Sequence, residues 1–270
     1  MRADEEGEKV ALVTGANGAI GKAICKELAR QGDHEIVMAC RNKKRAARAR
    51  QEVIAETGHD VVRYAIVDLS RRESVYELAR QWRGALDVLV NNAAVTPRRR
   101  RETPEGLELQ FATNVMGQFW MTRAFRKALA RGRSPRVVNL SSYWAGGLDL
   151  EDLQFERRYY DNNAAYRQSK QANRMLSAVF ARQFSDDGIR VYSCHPGDVP
   201  SRLARNLGFH GSDTPRQAAQ TPVWLATSEL GAEGNGGYFR DKSRRACRFS
   251  GDRKATMALY KRCLEEGCQV

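Results

Sequence analysis

Short apolar runs alternate with longer amphipathic segments along most of this chain, and this alternation constrains its fold most strongly. Each short run has the length, the Val, Ile or Leu content and the flanking polar residues of a buried strand. These runs are Val10–Thr14, Glu35–Cys40, Val61–Val67, Leu86–Val90, Arg136–Leu140 and Arg190–Cys194. The segments with helical spacing of apolar residues are Ile20–Arg30, Lys43–Glu56, Glu73–Gln81, Pro104–Arg131 and Ala165–Phe184. Because parallel strands need long crossovers, we predict a doubly wound parallel α/β sheet with helices on both faces.

Length and composition favour one globular domain. No linker or internal repeat divides the 270 residues, and we expect residues 1–270 to form a single domain with residues 1–8 as a flexible tail. A content of 42% hydrophobic and 29% charged residues excludes collagen-like and wholly disordered classes. No apolar run approaches the roughly 20 residues that span a bilayer. The polar, acidic start does not resemble a secretory signal, so we expect a cytoplasmic protein without a transmembrane anchor.

The net charge of +13 raises the question of nucleic acid binding. Basic residues are spread along the chain apart from Arg98–Arg101 and the region of Arg240–Arg248, whereas nucleic-acid-binding proteins group them on one face. We therefore expect a solvated basic surface and no specific nucleic acid partner. The six cysteines and four histidines share no metal-ligand spacing, so neither a metal site nor a disulfide framework is expected.

Polar residues and glycines follow the predicted strands at one edge of the sheet. In doubly wound sheets the ligand lies beyond the carboxyl ends of the strands. The residues that stand there are Thr14–Gly15, Arg41, Asp68, Asn91–Asn92, Ser141–Ser142 and His195–Gly197. Because six strand ends carry such residues, we predict a binding site at this edge.

A glycine-rich turn joins the first strand to the first helix. Residues 14–21 read TGANGAIG, with glycines at Gly15, Gly18 and Gly21. Such glycines permit a tight turn and close packing of helix on strand, and the amides at the helix start can bind a pyrophosphate. Alone, the pattern is also compatible with a purely structural turn.

Arginine stands where many dinucleotide-binding chains carry an acidic residue. The second strand ends Ala39-Cys40-Arg41-Asn42, and Lys43 and Lys44 follow. A carboxylate at this place binds a free ribose hydroxyl, whereas a guanidinium suits a 2′-phosphate. We therefore predict NADP(H) in preference to NAD(H). The alternative is that Arg41 only begins an exposed helix.

Tyr166 and Lys170 are four residues apart in a predicted helix, which places the phenol and the ammonium on one face. A nearby cation favours the phenolate, which would make the tyrosine a useful proton shuttle. The spacing is common by chance, so it gains meaning only beside the glycine turn, Arg41 and Ser141–Ser142.

Together these motifs resemble the short-chain dehydrogenase/reductase family, and within it the retinol dehydrogenase-like, NADP-dependent branch. The resemblance runs from about Lys9 to Leu264. Its motifs are TGANGAIG, ACRN at 39–42, DLS at 68–70, NNAA at 91–94, EGLELQFATNVMGQF at 105–119, VVNLSS into YRQSK, and HPGDVPSRL from His195. The 24-residue separation of Ser142 and Tyr166 and the polar insert DLQFERRYYDNNAA are similar to that branch. Ala19 and Ala94 stand where the family usually has glycine.

The resemblance implies a Rossmann-type fold that transfers hydride between NADP(H) and an aldehyde or ketone and its alcohol. Tyr166 would give or take the proton, and Lys170 would lower the pKa of Tyr166 and hold the nicotinamide ribose. Ser142 would bind the substrate oxygen together with Tyr166, and Asn114 would hold a water in a proton relay to Lys170. The implied cofactor-binding residues are Gly15, Asn17, Gly18, Ala19, Ile20, Gly21, Arg41, Asn42, Asp68, Leu69, Asn92, Ala93, Tyr166, Lys170, Pro196, Gly197 and Val199.

The substrate is not determined by these motifs. Segments 95–103, 143–164 and 201–215 are expected to wall its pocket. A partly apolar pocket for a small molecule would be lined by Tyr143, Trp144, Phe155, Tyr159, Leu203, Leu207 and Phe209, for each of which ordinary packing is an equal explanation. An alternative function is an NADP(H)-binding sensor or interaction protein with little turnover, against which the intact Asn114, Ser142, Tyr166 and Lys170 argue. The oligomeric state is left open.

Overall fold

The computed structural model describes residues 8–230 and 232–266, which include an eight-stranded sheet. Its strands are β1 (Lys9–Thr14), β2 (His34–Cys40), β3 (Val62–Ile66), β4 (Val88–Asn91), β5 (Arg136–Leu140), β6 (Arg190–Cys194), β7 (Tyr238–Arg240) and β8 (Ser243–Arg245). They lie in the order β3-β2-β1-β4-β5-β6-β7-β8, all parallel except β8, which pairs antiparallel with β7. The order reverses between β1 and β4, which is where such sheets bind ligands.

Helices cover both faces of the sheet. They are α1 (Ala19–Ala29), α2 (Lys43–Thr57), α3 (Arg72–Gln81), α4 (Gly117–Ala124), α5 (Arg126–Leu129), α6 (Asn162–Gln183), α7 (Arg202–Asn206), α8 (Pro215–Thr227), α9 (Arg248–Gly251) and α10 (Arg253–Glu266). A π-helical segment, Phe111–Met116, runs directly into α4.

The strands divide their apolar side chains between two cores because successive residues point to opposite faces. Leu12 belongs to the core that includes residues of α3, α4, α6 and α10, whereas its neighbour Val13 belongs to the core that includes residues of α1, α2 and α8. The pair Val137 and Val138 in β5 repeats this division. The predicted doubly wound α/β fold with helices on both faces is therefore confirmed.

The predicted helix Pro104–Arg131 is wrong in two respects. The helix begins later than Pro104, and it is interrupted between α4 and α5. A turn closes at Gly106, whose amide donates to the Thr103 carbonyl and whose φ of +80° interrupts a helix. The buried Glu108 carboxylate then accepts hydrogen bonds from the Gln110 and Phe111 amides at 2.9 and 2.7 Å. The helical stretch begins only there, because its first amides need an acceptor.

Among the described residues, no helix is long and apolar enough to cross a membrane. The tail predicted at residues 1–8 lies outside the described residues except for Glu8, which is exposed.

Candidate active site

A cavity of about 440 Å³ lies beyond the carboxyl ends of β1, β4, β5 and β6. It brings together many of the predicted site residues, namely Gly15, Asn17, Gly18, Ala19, Ile20, Gly21, Asn92, Ala93, Ser142, Tyr166, Lys170, Pro196, Gly197 and Val199. The predicted residues that lie outside this cavity are Arg41, Asn42, Asp68, Leu69 and Asn114.

The glycine turn packs so closely that two of its positions exclude a side chain. A Cβ on Gly21 would lie 2.5 Å from the Gly15 carbonyl oxygen and 2.6 Å from Asn92 Nδ2. Gly15 has a φ of +62°, and a Cβ there would lie 2.9 Å from Ala93 Cα. Ala19 is the first residue of α1, and it lines the cavity without disturbing this packing.

Hydrogen bonds from β4 to the end of β1 hold the turn in place. The Asn92 side chain donates to the Thr14 carbonyl oxygen at 2.7 Å. The Thr14 hydroxyl oxygen accepts from the Asn92 and Ala93 amides at 2.9 and 3.1 Å. Asn92 therefore stabilises the glycine turn and also lines the cavity.

Ser142, Tyr166 and Lys170 meet in the cavity at the end of β5 and the first turns of α6. Tyr166 and Lys170 are buried, and the Lys170 ammonium lies 5.6 Å from the centre of the Tyr166 ring. That ammonium donates a hydrogen bond to the Leu140 carbonyl oxygen at 2.9 Å. The spacing on the helix thus places the phenol and the ammonium on one face.

The pKa of Tyr166 differs in direction from the sequence-based expectation. Burial raises the pKa of Tyr166 to about 12, because water no longer stabilises the phenolate, while a hydrogen bond with Ser142 acts to lower it. Burial lowers the pKa of Lys170 to about 8. The pKa of Tyr166 is therefore raised rather than lowered in this structure, because the effect of burial outweighs that of the Ser142 hydrogen bond, and the nearby Asp198 acts in the same direction as burial.

Asn114 lies behind the cavity, within the π-helical segment. Its side-chain oxygen accepts from the Val95 amide at 2.8 Å, and its side-chain nitrogen donates to the Val95 carbonyl at 3.0 Å. The same nitrogen lies 3.4 Å from the Ser169 hydroxyl, next to Lys170 in the chain. π-Helical turns are frequent at functional sites, and this one turns Asn114 towards the loop that follows β4.

The segment after β6 forms the wall of the cavity opposite the glycine turn. Gly197 has a φ of +134°, and a Cβ there would lie 2.7 Å from the carboxylate of Asp213. That carboxylate accepts a hydrogen bond from the Asp198 amide at 2.6 Å. Burial lowers the pKa of His195 to about 4, so its ring is neutral at pH 7.

Arg41, at the end of β2, is exposed and forms no ion pair with the residues that the structure describes. The next residue, Asn42, caps α2 by accepting a hydrogen bond from the Arg45 amide at 3.0 Å. Asp68 accepts hydrogen bonds from the Ser70 amide and hydroxyl at 3.0 and 2.7 Å. Asn42 and Asp68 therefore each stabilise the local structure, in addition to any contact that they make with a cofactor.

The predicted substrate walls are only partly where the sequence placed them. Leu203 and Phe209 line the cavity, and the Phe209 ring lies 4.7 Å from that of Trp144. Tyr159 is 95% exposed, whereas Phe155 and Leu207 are buried in packing. Cavity residues that no prediction included are Ala94, Leu140 and Asp198, whereas Ser141 and His195 were expected at strand ends and Ser201, Arg202 and Ala204 lie in the predicted wall segment 201–215.

No group of three or more His, Cys, Asp or Glu side chains within residues 8–230 and 232–266 could hold a metal ion. The arrangement is one of backbone amides, a phenol, a hydroxyl and an ammonium around one cavity. Such groups can bind an anionic dinucleotide and move a proton at a substrate oxygen.

Known proteins are similar to this chain in sequence and in fold. The family described as short chain dehydrogenase matches residues 9–209. Human retinol dehydrogenase 13 is 34% identical over 251 residues, which cover 86% of this chain and 76% of that protein. A crystal structure of a Mycobacterium paratuberculosis protein has a TM-score of 0.81 at 26% identity, covering 97% of this chain and 94% of the other.

A metagenomic short-chain oxidoreductase in complex with NADP has a TM-score of 0.63 at 25% identity, covering 83% of this chain and 92% of the other. The family match spans residues 9–209, and the similarity to retinol dehydrogenase 13 covers 86% of the chain. The chain therefore belongs to the short-chain dehydrogenase/reductase family of oxidoreductases, in its retinol dehydrogenase-like group.

Proposed function

We propose that this protein interconverts a carbonyl compound, an aldehyde or ketone, and its alcohol, with NADP(H) as the preferred cofactor. The observation that carries the proposal is the single cavity in which Ser142, Tyr166 and Lys170 meet the glycine turn. A small, partly apolar substrate is consistent with Leu203 and Phe209 in the cavity wall.

The residues present fit a nicotinamide dinucleotide. α1 begins at Ala19, and the residue before it, Gly18, provides no side-chain cap, so the first amides of the helix are free to receive a pyrophosphate. The absence of side chains at Gly15 and Gly18 allows the backbone to approach a ligand. Pro196, Gly197 and Val199 would bind the nicotinamide side from the opposite wall. When bound, the nicotinamide supplies or accepts the hydride.

Tyr166 is the proposed proton donor in carbonyl reduction. With its pKa raised to about 12, the buried phenol is protonated at neutral pH and can donate to a developing alkoxide. The Ser142 hydroxyl would donate a second hydrogen bond to the same substrate oxygen. In alcohol oxidation the phenolate must form first, which the hydrogen bond with Ser142 assists before the substrate oxygen takes that donor.

Lys170 and Asn114 are proposed to support this proton transfer. The buried Lys170 ammonium borders the cavity, where it would hold the nicotinamide ribose. Its pKa near 8 leaves it mostly charged at pH 7. Asn114 would hold the water of a relay to Lys170, on the side where its amide nitrogen approaches Ser169.

The preference for NADP(H) is supported by Arg41. Its exposed guanidinium at the end of β2 has no carboxylate partner among the described residues and is therefore free to bind a 2′-phosphate. Asp68 and Leu69, after β3, would border the adenine. A cytoplasmic location stays a prediction, which microscopy of a tagged chain would test.

A turnover screen tests the proposed function. NADPH consumption at neutral pH would be followed with aliphatic and aromatic aldehydes, ketones, 9,10-phenanthrenequinone and all-trans-retinal. We expect turnover of at least one carbonyl compound, with NADPH used faster than NADH. Tight NADPH binding without turnover of any compound would instead support the cofactor-binding sensor.

A further inference from the structure

Arg174 is a buried cation without an acidic partner. It lies on α6 four residues after Lys170, and only 6% of the residue is exposed. None of the carboxylates in the described part of the chain forms an ion pair with it. A buried unpaired charge is costly for stability, and an apolar side chain of similar size usually serves packing better. Its contacts therefore call for a role other than packing.

The guanidinium of Arg174 contacts the segment that carries the proposed catalytic serine. Arg174 Nε donates to the Ser141 hydroxyl oxygen at 3.1 Å, and a terminal nitrogen donates to the Ser142 carbonyl oxygen. The Ser141 hydroxyl in turn donates to the Lys170 carbonyl oxygen at 2.8 Å. One guanidinium thus links the main chain at Ser142 to the turn of α6 that carries Lys170.

Aromatic rings fix the plane of this guanidinium. Its central carbon lies 3.4 Å from the centre of the Tyr238 ring in β7 and 5.7 Å from that of Phe249 in α9. A planar guanidinium stacked on a ring keeps its donors in a fixed direction, which an ammonium cannot do. The carboxyl-terminal elements therefore support the orientation of Arg174.

Lys170 and Arg174 hold consecutive residues at the end of β5. They lie one turn apart on the face of α6 that also carries Tyr166. Lys170 donates to the carbonyl of Leu140, and Arg174 donates to Ser141 and Ser142. The helix that presents the phenol is thereby held in register with the strand end that presents the serine.

We propose that Arg174 is a positioning residue that holds the Ser141–Ser142 main chain, and with it the Ser142 hydroxyl, against Tyr166. The proposal rests on the proposed function only in giving Ser142 and Tyr166 their catalytic roles. The juxtaposition itself is independent of the substrate.

Steady-state kinetics with NADPH and 9,10-phenanthrenequinone are the first test. Arg174→Met removes the donors at similar length, and Arg174→Lys keeps the charge but not the planar fork. The matched control is Arg182→Met, because Arg182 lies two turns further along α6 and its guanidinium reaches Thr256 at 3.3 Å. We expect Arg174→Met to lower kcat about 10- to 100-fold, as for a misplaced catalytic group. KM for NADPH should stay within about twofold, Arg174→Lys should be intermediate, and Arg182→Met should resemble the wild type.

A second readout requires no turnover. In protein labelled with ¹³Cζ-tyrosine and saturated with NADP⁺, the Tyr166 resonance, assigned with Tyr166→Phe, would be followed from about pH 9 to 12, the range in which a pKa of about 12 gives a measurable phenolate fraction. Loss of the Ser142 hydrogen bond should delay phenolate formation in Ser142→Ala. We expect Arg174→Met to delay it in the same direction and Arg182→Met to leave it unchanged.

The outcomes separate this proposal from the proposed function. A Tyr166 titration in Arg174→Met that superimposes on the wild type, or an equal effect of Arg182→Met, would overturn the positioning role. If the wild type reduces no carbonyl compound and the titration still shifts, the proposed function fails and the positioning role stands. If Arg174→Met does not fold, Arg174→Lys carries both tests, and a wild-type kcat and titration there would contradict the proposal.

Discussion

The buried phenol of Tyr166 sets the expected pH dependence of the reaction. Because its pKa is raised to about 12, the proton-donating form persists through neutral and mildly alkaline pH. We expect the kcat for carbonyl reduction to be flat from about pH 6 to 7.5, where both Tyr166 and Lys170 are mostly protonated, and alcohol oxidation to rise with pH across that range, as the phenolate fraction grows. Stopped-flow measurement of hydride transfer in both directions checks this. A plateau of oxidation already reached at pH 7 would contradict it.

His195 gives a pH dependence of stability with a definite sign. Its pKa in the folded state is lowered to about 4, below the unfolded value of ~6.5, so folding favours the neutral ring. Stability is therefore lost as the pH falls from about 6.5 to 4, by about 2–3 kcal/mol from this group. Urea unfolding between pH 7 and 4.5 should show a smaller loss for His195→Asn than for the wild type. His210→Asn, at an exposed position, is the control and should follow the wild type.

Arg41 decides the proposed cofactor preference. Arg41→Ala should weaken NADPH binding by about 1.5–3 kcal/mol, the value of a hydrogen bond to a charged group, and should barely change NADH binding. Calorimetric titration of both cofactors measures the difference. Equal losses for the two cofactors would mean that Arg41 does not contact the 2′-phosphate.

The packing of α1 against the end of β1 depends on the absence of a side chain at Gly21. Gly21→Ala places a methyl 2.5 Å from the Gly15 carbonyl oxygen, whereas Gly18→Ala meets only that oxygen at 3.2 Å and keeps a φ of −78°. We expect Gly21→Ala to lower the free energy of unfolding by about 1–3 kcal/mol, as overpacking does, and to abolish NADPH binding. Gly18→Ala should cost clearly less stability. Equal unfolding midpoints for the two variants would contradict this account.

The strands and helices from β1 to β6 were predicted, whereas the helices α7 to α10 and the strands β7 and β8 were not. The strands from β1 to β6 and their crossover helices follow from apolar runs that each element carries in its own residues. The strands β7 and β8 have three residues each, too few for a periodic signal. The late start of the helix before α4 depends on Gly106 and Glu108, whose turn and carboxylate cap no helical periodicity reveals.

In the candidate site, the residues near strand ends could be predicted from the sequence, whereas the tertiary contacts that hold them could not. Residues that follow strands directly, such as Ser142 and Gly197, could be placed at the cavity because the fold brings strand ends together. Their supports could not, because Arg174 and Asp213 reach them only through tertiary contacts. The raised pKa of Tyr166 likewise depends on burial by the assembled fold rather than on its distance from Lys170 in the chain.

The net charge of +13 is a property of the whole surface. If it is diffuse, binding to DNA or RNA oligonucleotides should be weak, independent of sequence and lost steeply with added salt. Fluorescence anisotropy at low and physiological ionic strength measures this. Sequence-selective binding that persists at physiological salt would indicate a specific nucleic-acid-binding site and would contradict a diffuse basic surface.

Replacing the Tyr166 hydroxyl tests the central claim most directly. Tyr166→Phe would be compared with Tyr159→Phe, which removes a hydroxyl from a 95% exposed ring, in NADPH-dependent reduction of a carbonyl compound that the wild type accepts. General acid catalysis contributes about 10²–10⁴-fold, so we expect kcat to fall at least about 100-fold in Tyr166→Phe, with NADPH affinity nearly unchanged, and Tyr159→Phe to match the wild type. A Tyr166→Phe protein with near-normal kcat would contradict the proposed mechanism.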